Sequence, residues 1–399
     1  MPRFAYSAKT QDGRTVSGAL DAASEKRVSE LLHHQGLVVV GIKPVRGRLL
    51  PGGRVSLEDL AIFSRQMATL IDAGIPIVGG LEAVAEQLEN KSLHEVVLKV
   101  RDAVEGGTNF TVAIGKQTQV FSPLFVSMVR AGEASGHLAE IFDRLATYLE
   151  KAAALQRKIK AACIYPAIVV SMAGGITAIL MLKVIPAFKD IFITLGVELP
   201  LPTQILITLS DWLQHSFLIM VGGCVGGVIF FQGVFLKTPK GRFLFDQAML
   251  RLPIVGLLAR KVAIAKFART LSTLVKSGVA ILGALEIVAE SAGNKVVAQA
   301  ILKVRASIRE GENIATPLAA SGVFPPMVVR MIAVGEQTGR LDDMLTKVAD
   351  FYEDQVDTAV AGLTSALEPL IIAVLGIVVG SIVISIFLPI FKITQVLSK

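Results

Sequence analysis

The sequence predicts an all-α membrane protein: two repeated cytoplasmic bundles of about six helices each, three transmembrane helices and a small N-terminal α+β module. Three observations carry that prediction. Three apolar runs are each long enough to cross a bilayer, an internal repeat covers a bundle together with the span that follows it, and a hairpin signal is confined to residues 1–42.

Composition sets the class. Of 399 residues, 52% are apolar and 18% charged, and the mean hydropathy is +0.61. Such a chain is not disordered, collagen-like or a coiled coil. Cys163 and Cys224 are too few for a disulfide framework, and no Cys/His spacing fits a metal. The net charge of +7 accompanies only 6% aromatic residues. Basic loops on an anionic membrane surface account for that balance, and no nucleic-acid partner is expected.

Residues 1–42 read as a ββαβ module. Phe4 to Lys9 and Arg14 to Leu20 flank the turn signal Asp12-Gly13, Ser24 to Gln35 forms a helix stopped by Gly36, and Leu37 to Ile42 is a third strand. The start Met1-Pro2-Arg3-Phe4-Ala5-Tyr6 has no basic stretch leading into an apolar core, so no cleavable signal and a cytoplasmic amino terminus are expected. Residues 43–55 form a basic linker with Arg46, Arg48 and Arg54 that can rest on headgroups.

The first bundle spans 56–163. Ser56 is the expected N-cap of its opening helix and Gly74 its stop, with Pro76 in the first turn of the next. Ser92-Leu-His-Glu95 reads as a capping box before Leu93, Val96, Val97, Val100 and Val104 at one-face spacing. Gly106-Gly107 ends that helix, a short one covers Phe110 to Lys116, Ser122-Pro123 starts another, and Gly136 separates it from a last helix over Leu138 to about Ala153.

The three apolar runs are Ile164 to Phe188, with Lys183 its only charge, Phe217 to Leu236, and Leu370 to Phe391. Crossing a bilayer takes about 20 residues of helix. These runs are apolar all round, with no polar stripe of the kind a buried core helix keeps. They give transmembrane helices at 164–188, 214–236 and 367–391, a periplasmic loop at 189–213, a second bundle at 237–366 and a periplasmic tail at 392–399. Lys151, Arg157, Lys158 and Lys160 before the first span, and Lys237, Lys240 and Arg242 after the second, put those flanks in the cytoplasm.

Self-comparison is the most informative step. Phe63-Ser-Arg-Gln-Met-Ala-Thr-Leu aligns with Phe267-Ala-Arg-Thr-Leu-Ser-Thr-Leu, and the match continues through Asn90-Lys91 on Asn294-Lys295. After one residue drops out, Phe121 meets Phe324, Gly132-Glu133 meets Gly335-Glu336, Pro166 meets Pro369 and Ile185-Pro186 meets Leu388-Pro389. Each repeat unit is therefore a bundle plus its span. Two such units with both bundles in the cytoplasm need a returning helix, which the unmatched second span supplies.

No catalytic chemistry emerges. Gly115-Lys116-Gln117 lacks the Ser or Thr that a phosphate loop requires, His33 and His34 point to different faces, and neither HExxH nor GxSxG occurs. No enzyme, cofactor or metal is expected. Four polar pairs are matched between the copies: Arg65 with Arg269, Glu82 with Glu286, Arg101 with Arg305 and Glu133 with Glu336. They are either a docking surface presented twice or ion pairs and caps that both copies need, the second being the commoner use. Gly222, Gly223, Gly226 and Gly227 form overlapping GxxxG pairs and Gly376 with Gly380 another, the signature of close helix packing within or between subunits. Lys183 lies about a turn from the outer end of the first span. It either snorkels to the headgroups or meets a carboxylate on a partner's membrane helix.

Several stretches resemble the inner-membrane assembly platforms of bacterial surface machines: PilC of type IV pili and the F protein of type II secretion. The carriers are Phe63-Ser-Arg-Gln-Met-Ala-Thr-Leu, Ala131-Gly-Glu-Ala-Ser-Gly136, Tyr165-Pro166, Leu199-Pro200, Phe324-Pro-Pro326, Val334-Gly-Glu-Gln-Thr-Gly339 and Glu368-Pro369. Phe192 to Thr203 and Leu388-Pro-Ile-Phe391 look more pilus-like than secretion-like. The resemblance implies a non-enzymatic homo-oligomeric hub in the bacterial inner membrane. Its implied partners are a hexameric cytoplasmic secretion ATPase, pilins or pseudopilins, and other inner-membrane assembly proteins. A membrane transporter and a membrane-anchored signalling scaffold are the competing classes. Only three spans and no acidic residue within them count against the transporter.

Overall fold

The computed structural model describes residues 3–9, 15–21, 29, 38–45, 55–194, 200–253 and 255–397. At the amino terminus β1 (Arg3–Lys9), β2 (Thr15–Asp21) and β3 (Val38–Val45) form an antiparallel sheet in the order β2-β1-β3. The Asp12-Gly13 turn, the linker from 46 and all but Ser29 of the expected helix lie outside the described residues.

The first copy holds α1 (Leu57–Asp72), α2 (Ile77–Gln87), α3 (Lys91–Glu105), α4 (Phe110–Gly115), α5 (Pro123–Ser135) and α6 (Leu138–Ile179). The second holds α10 (Val255–Lys276), α11 (Ile281–Ser291), α12 (Lys295–Arg309), α13 (Ala315–Ala320), α14 (Pro326–Thr338) and α15 (Leu341–Leu397). Between them lie α7 (Ile185–Thr194), α8 (Leu201–Phe230) and α9 (Pro239–Arg251), with π-helical turns at Leu180–Val184 and Phe231–Phe235.

Local chemistry explains the boundaries. Ser56 accepts from the Asp59 amide at 3.1 Å while Asp59 accepts from the Ser56 amide at 2.8 Å, a reciprocal cap on α1. The expected capping box at Ser92 gives way to Asn90, whose Oδ1 accepts from both Ser92 and Leu93 amides and starts α3 two residues earlier. Asn294 does the same for α12. Gly136 and Gly339 end α5 and α14 in the left-handed region at φ 78° and 70°.

Tight packing follows at the matched glycines. A Cβ on Gly132 would lie 2.9 Å from Ile141 Cγ1, and one on Gly335 would lie 3.0 Å from Leu341 Cα. Bare backbone therefore lets α5 close on α6 and α14 on α15. Phe63 packs on Phe121 with ring centroids 5.9 Å apart, and the matched Phe267 on Phe324 at 4.6 Å. Phe110, Phe125 and Phe142 complete the aromatic heart of the first copy.

Several expected boundaries are corrected. The last helix of the first copy does not stop near Ala153. It runs unbroken to Ile179 with Pro166 inside it, and α15 likewise carries Pro369 and Pro389 through to Leu397. Bundle and apolar stretch are thus one helix in each copy, because no residue between them leaves the helical region. Segment 189–213, expected as a loop, is mostly helical, since α8 begins at Leu201 with Thr203, Leu206, Ile207 and Ser210 buried along its first turns. The expected tail from 392 is helical as far as Leu397. Nor are the bundles separate cores: one continuous apolar cluster joins Phe63, Leu93 and Phe142 to Phe267, Val304 and Tyr352.

Candidate functional site

The matched polar residues come first, because the fold brings each to its partner within its own copy. Arg65 on α1 donates from Nε and Nη2 to both Glu150 oxygens at 2.9 Å, to Thr147 at 3.2 Å, and pairs with Asp143. Arg269 on α10 repeats the grip on α15, donating to Glu353 at 2.7 Å and pairing with Asp350. Burial opposes the Asp350 charge, yet hydrogen bonds from Arg269 and Lys151 hold its carboxyl below the ordinary range.

Arg101 lies 3.5 Å from Glu82 and Arg305 2.8 Å from Glu286, each tying the second helix of its copy to the third. Glu133 accepts from the Phe110 and Thr111 amides at 2.8 and 3.0 Å, and Glu336 from the Ile314 amide at 2.7 Å. These carboxylates cap the short helices α4 and α13, whose first amides have no partner within the helix. Burial disfavours ionised Glu133, but those amides hold its carboxyl below the ordinary range. All eight residues therefore have partners within their own copy.

A second set of contacts joins the copies, and most of its residues differ between the two copies. Tyr148 shares a hydrogen bond of 3.2 Å with Thr270, Lys151 lies 3.2 Å from Asp350 and 3.6 Å from Glu353, Lys158 pairs with Asp357, and Arg144 donates to the Lys276 carbonyl. Burial pushes the Tyr148 phenol up. A cavity of about 300 Å³ opens here, lined by Leu57, Leu155, Val262 and the stem of Lys266. Burial pushes the Lys266 amine down, and no hydrogen bond or ion pair to it occurs among the described residues.

Among the described residues, two helices carry apolar stretches long enough to cross a membrane, within Leu138–Lys189 and Leu341–Pro389, and only 11% of each stretch is buried by the chain itself. A soluble core helix would be mostly covered. Family comparison decides the identity. The family described as "Type II secretion system (T2SS), protein F" matches residues 63–186 and 267–389, and its N-terminal domain matches 1–43. The chain belongs to the type II secretion system protein F family. It is 43% identical to the type IV pilus assembly protein PilC of Myxococcus xanthus over 98% of this chain and 94% of that one. PilC of Thermus thermophilus is 44% identical over the whole of both chains, and the type II secretion system protein F of Pseudomonas aeruginosa is 35% identical over 99% of each.

In this F-family chain the unmatched helix α8 satisfies groups that the matched prolines leave bare. Pro186 has no N–H to offer the carbonyls four and five residues back, which belong to Leu182 and Met181. Gln214 Nε2 donates to the first at 3.0 Å and Ser210 to the second. Pro389 likewise abandons the Ser385 carbonyl, to which Thr203 Oγ1 donates at 2.6 Å. Met181, Ile185, Leu206, Ile207 and Ile382 pack around these bonds, and Lys189 pairs with Asp211 at 2.7 Å. Sequence reasoning missed this grip. Its signal was the one-face spacing of Thr203, Ser210 and Gln214.

Below the grip the three helices part. A groove of about 710 Å³ runs between Gly174, Thr177 and Ala178 of α6, Trp212 and Leu213 of α8, and Leu370 and Val374 of α15. The glycine pairs lie elsewhere. A Cβ at Gly222, Gly223, Gly226, Gly227, Gly376 or Gly380 would meet nothing within 4 Å, so none of these glycines is a point of close helix packing among the described residues. Lys183 stands exposed on the π-helical turn.

Proposed function

We propose that this chain is the inner-membrane assembly platform of a type IV pilus machine, coupling a cytoplasmic secretion ATPase to the extraction and polymerisation of pilins. One observation carries the reading: both copies share a single apolar core, and from that core two uninterrupted helices enter the apolar stretches. Force applied to the core reaches the bilayer without crossing a flexible joint.

In this reading α6, α8 and α15 span the membrane, both bundles and the amino terminus are cytoplasmic, the carboxyl terminus is periplasmic, and the platform is a homo-oligomer. The groove beside Gly174 and Val374 is apolar and helix-sized, suiting a pilin membrane helix. The exposed glycines Gly222, Gly226 and Gly376 suit contacts between subunits, and the exposed Lys183 suits a carboxylate of the incoming helix. The pilus assignment over a secretion assignment draws on the higher identities to relatives named PilC.

The test is photocrosslinking from position 174 in cells that express the full chain. Adducts with a pilin, lost when the ATPase gene is deleted or when Gly174→Trp fills the groove, are the expected result. Adducts with pseudopilins alone would move the assignment to secretion, and no adduct with either class would overturn the platform reading. The ATPase arm is a turnover assay: purified ATPase whose rate is unchanged by the platform in nanodiscs counts against coupling.

A further inference from the structure

The repeat leaves α9 unaccounted for, and its surface is unlike that of its neighbours. Thr238 caps it three residues after the π-helical turn that ends α8, its Oγ1 accepting from the Gly241 amide at 3.2 Å. Phe245 of α9 packs edge-on against Phe231 of that turn with ring centroids 5.8 Å apart, and Phe231 stacks on Phe235 at 5.2 Å. The end of the apolar helix and α9 thus share one aromatic contact, which fixes α9 at the level where α8 leaves its apolar stretch.

The outward face of α9 is apolar at its centre and basic at its margins. Leu244 is 58% exposed and Phe245 39%, with Ala248 between them on the same face and Leu252 (52%) following at the end of the helix. At 100° per residue Lys240 and Arg251 fall on one margin and Arg242 on the other, all exposed. Asp246, the one acid between Lys237 and Leu257, is turned inward: its Oδ2 accepts from the Lys295 amide at 2.7 Å and caps α12. Its charge is thereby spent inside the protein. A groove of about 570 Å³ between α9 and α12 adds Lys295 beside Lys240.

We propose that α9 is an interfacial helix that rests on the anionic headgroups of the cytoplasmic leaflet, with Leu244, Phe245 and Ala248 sunk to the acyl boundary. This inference rests on reading α8 as a membrane span. An apolar strip with cations on both margins is the surface that such a helix presents, and the Phe231 contact makes that strip continuous with the lipid-facing side of α8. Headgroup phosphates are the complementary charge for Lys240, Arg242 and Arg251.

The test uses the full chain, with Cys163→Ser and Cys224→Ser, in vesicles of phosphatidylethanolamine and phosphatidylglycerol. Nitroxide labels are attached at Ala248→Cys on α9, Ile229→Cys on α8 and Glu105→Cys on the bundle surface. Collision with oxygen and with a nickel chelate reports depth. The expected result is an Ala248 label that favours oxygen as the Ile229 label does, opposite to the Glu105 label. Adding Lys240→Glu, Arg242→Glu and Arg251→Glu should shift it towards nickel.

An Ala248 label open to nickel while the Ile229 label stays in hydrocarbon would overturn the interfacial helix alone. Protection from both reagents would mean a protein covers α9 and would overturn it as well. The same depth with and without the charge reversals would sink the headgroup contact. An Ile229 label open to nickel would bring down the span reading with it.

Discussion

Thr203 Oγ1 reaches the Ser385 carbonyl at 2.6 Å, across 182 residues of sequence, and supplies the donor that Pro389 cannot. The two residues are 3% and 4% exposed, so water is no substitute. Thr203→Val keeps the shape and removes the donor, which should cost about 1–2 kcal/mol. Pro389→Ala restores an N–H to the same carbonyl, so the double variant should recover most of that loss. Thermal unfolding of the purified protein in detergent measures all three, and equal losses in the presence and absence of Pro389 would separate Thr203 from the proline.

Arg65 and Arg269 are matched, yet their surroundings differ. The Arg269 side chain is 13% exposed and that of Arg65 40%. Arg269→Met leaves Asp350 and Glu353 with Lys151 as their remaining cation and should cost about 1–2 kcal/mol. Arg65→Met should cost about 1 kcal/mol or less, since solvent screens its carboxylates. Chemical denaturation of the two variants side by side is the check.

Acid should loosen the chain through Glu133 and Asp350. Their folded carboxyls titrate below the ordinary values of 4.5 and 3.8. Stabilisation from a depressed carboxyl is complete above the ordinary value and is lost as pH falls through the folded one. Denaturation midpoints of wild type should therefore drop below about pH 4.5 more steeply than those of Glu133→Gln, whose midpoint is already lower at pH 7. Parallel curves would remove Glu133 from the account.

Lys266 works in the opposite direction. Its amine is pushed down by burial with no carboxylate beside it among the described residues, so at neutral pH the folded state bears the cost of a half-desolvated cation. That cost fades as pH rises through the lowered folded value towards 10.5. Lys266→Met keeps the stem that lines the cavity between the copies and should raise stability at pH 7 by about 1 kcal/mol. Thermal shift at pH 7 and pH 10 tests both halves, the gain being smaller at the higher pH.

The repeat made much of the fold legible. Phe63 and Phe267, Gly132 and Gly335, and Glu133 and Glu336 recur because both copies need the same aromatic contact, the same bare backbone and the same cap. What self-comparison cannot reach is whatever the copies do differently. Tyr148, which bonds to Thr270, is matched by Phe351, and Lys151, which meets Asp350, by Asp354, so the joint between copies is built from residues that break the pattern. The carbonyls that the prolines leave bare were hidden for another reason: Thr203 and Ser210 fall in the segment expected as a loop and Gln214 at the edge of the second span, and their worth depends on backbone groups on other helices.

The length of the two continuous helices has its own consequence. At about 1.5 Å per residue, the 57 residues of α15 make a rod roughly 85 Å long. Its companion α6 is held to it by ion pairs at the inner end, and α8 grips both near the outer end. A rod pinned near its tip behaves as a lever. With the rods tied to each other at the inner end and to α8 at the outer, a tilt of the shared core is delivered to both at once, and the stretch left untied between the two fastenings is the one that Gly174 and Val374 line.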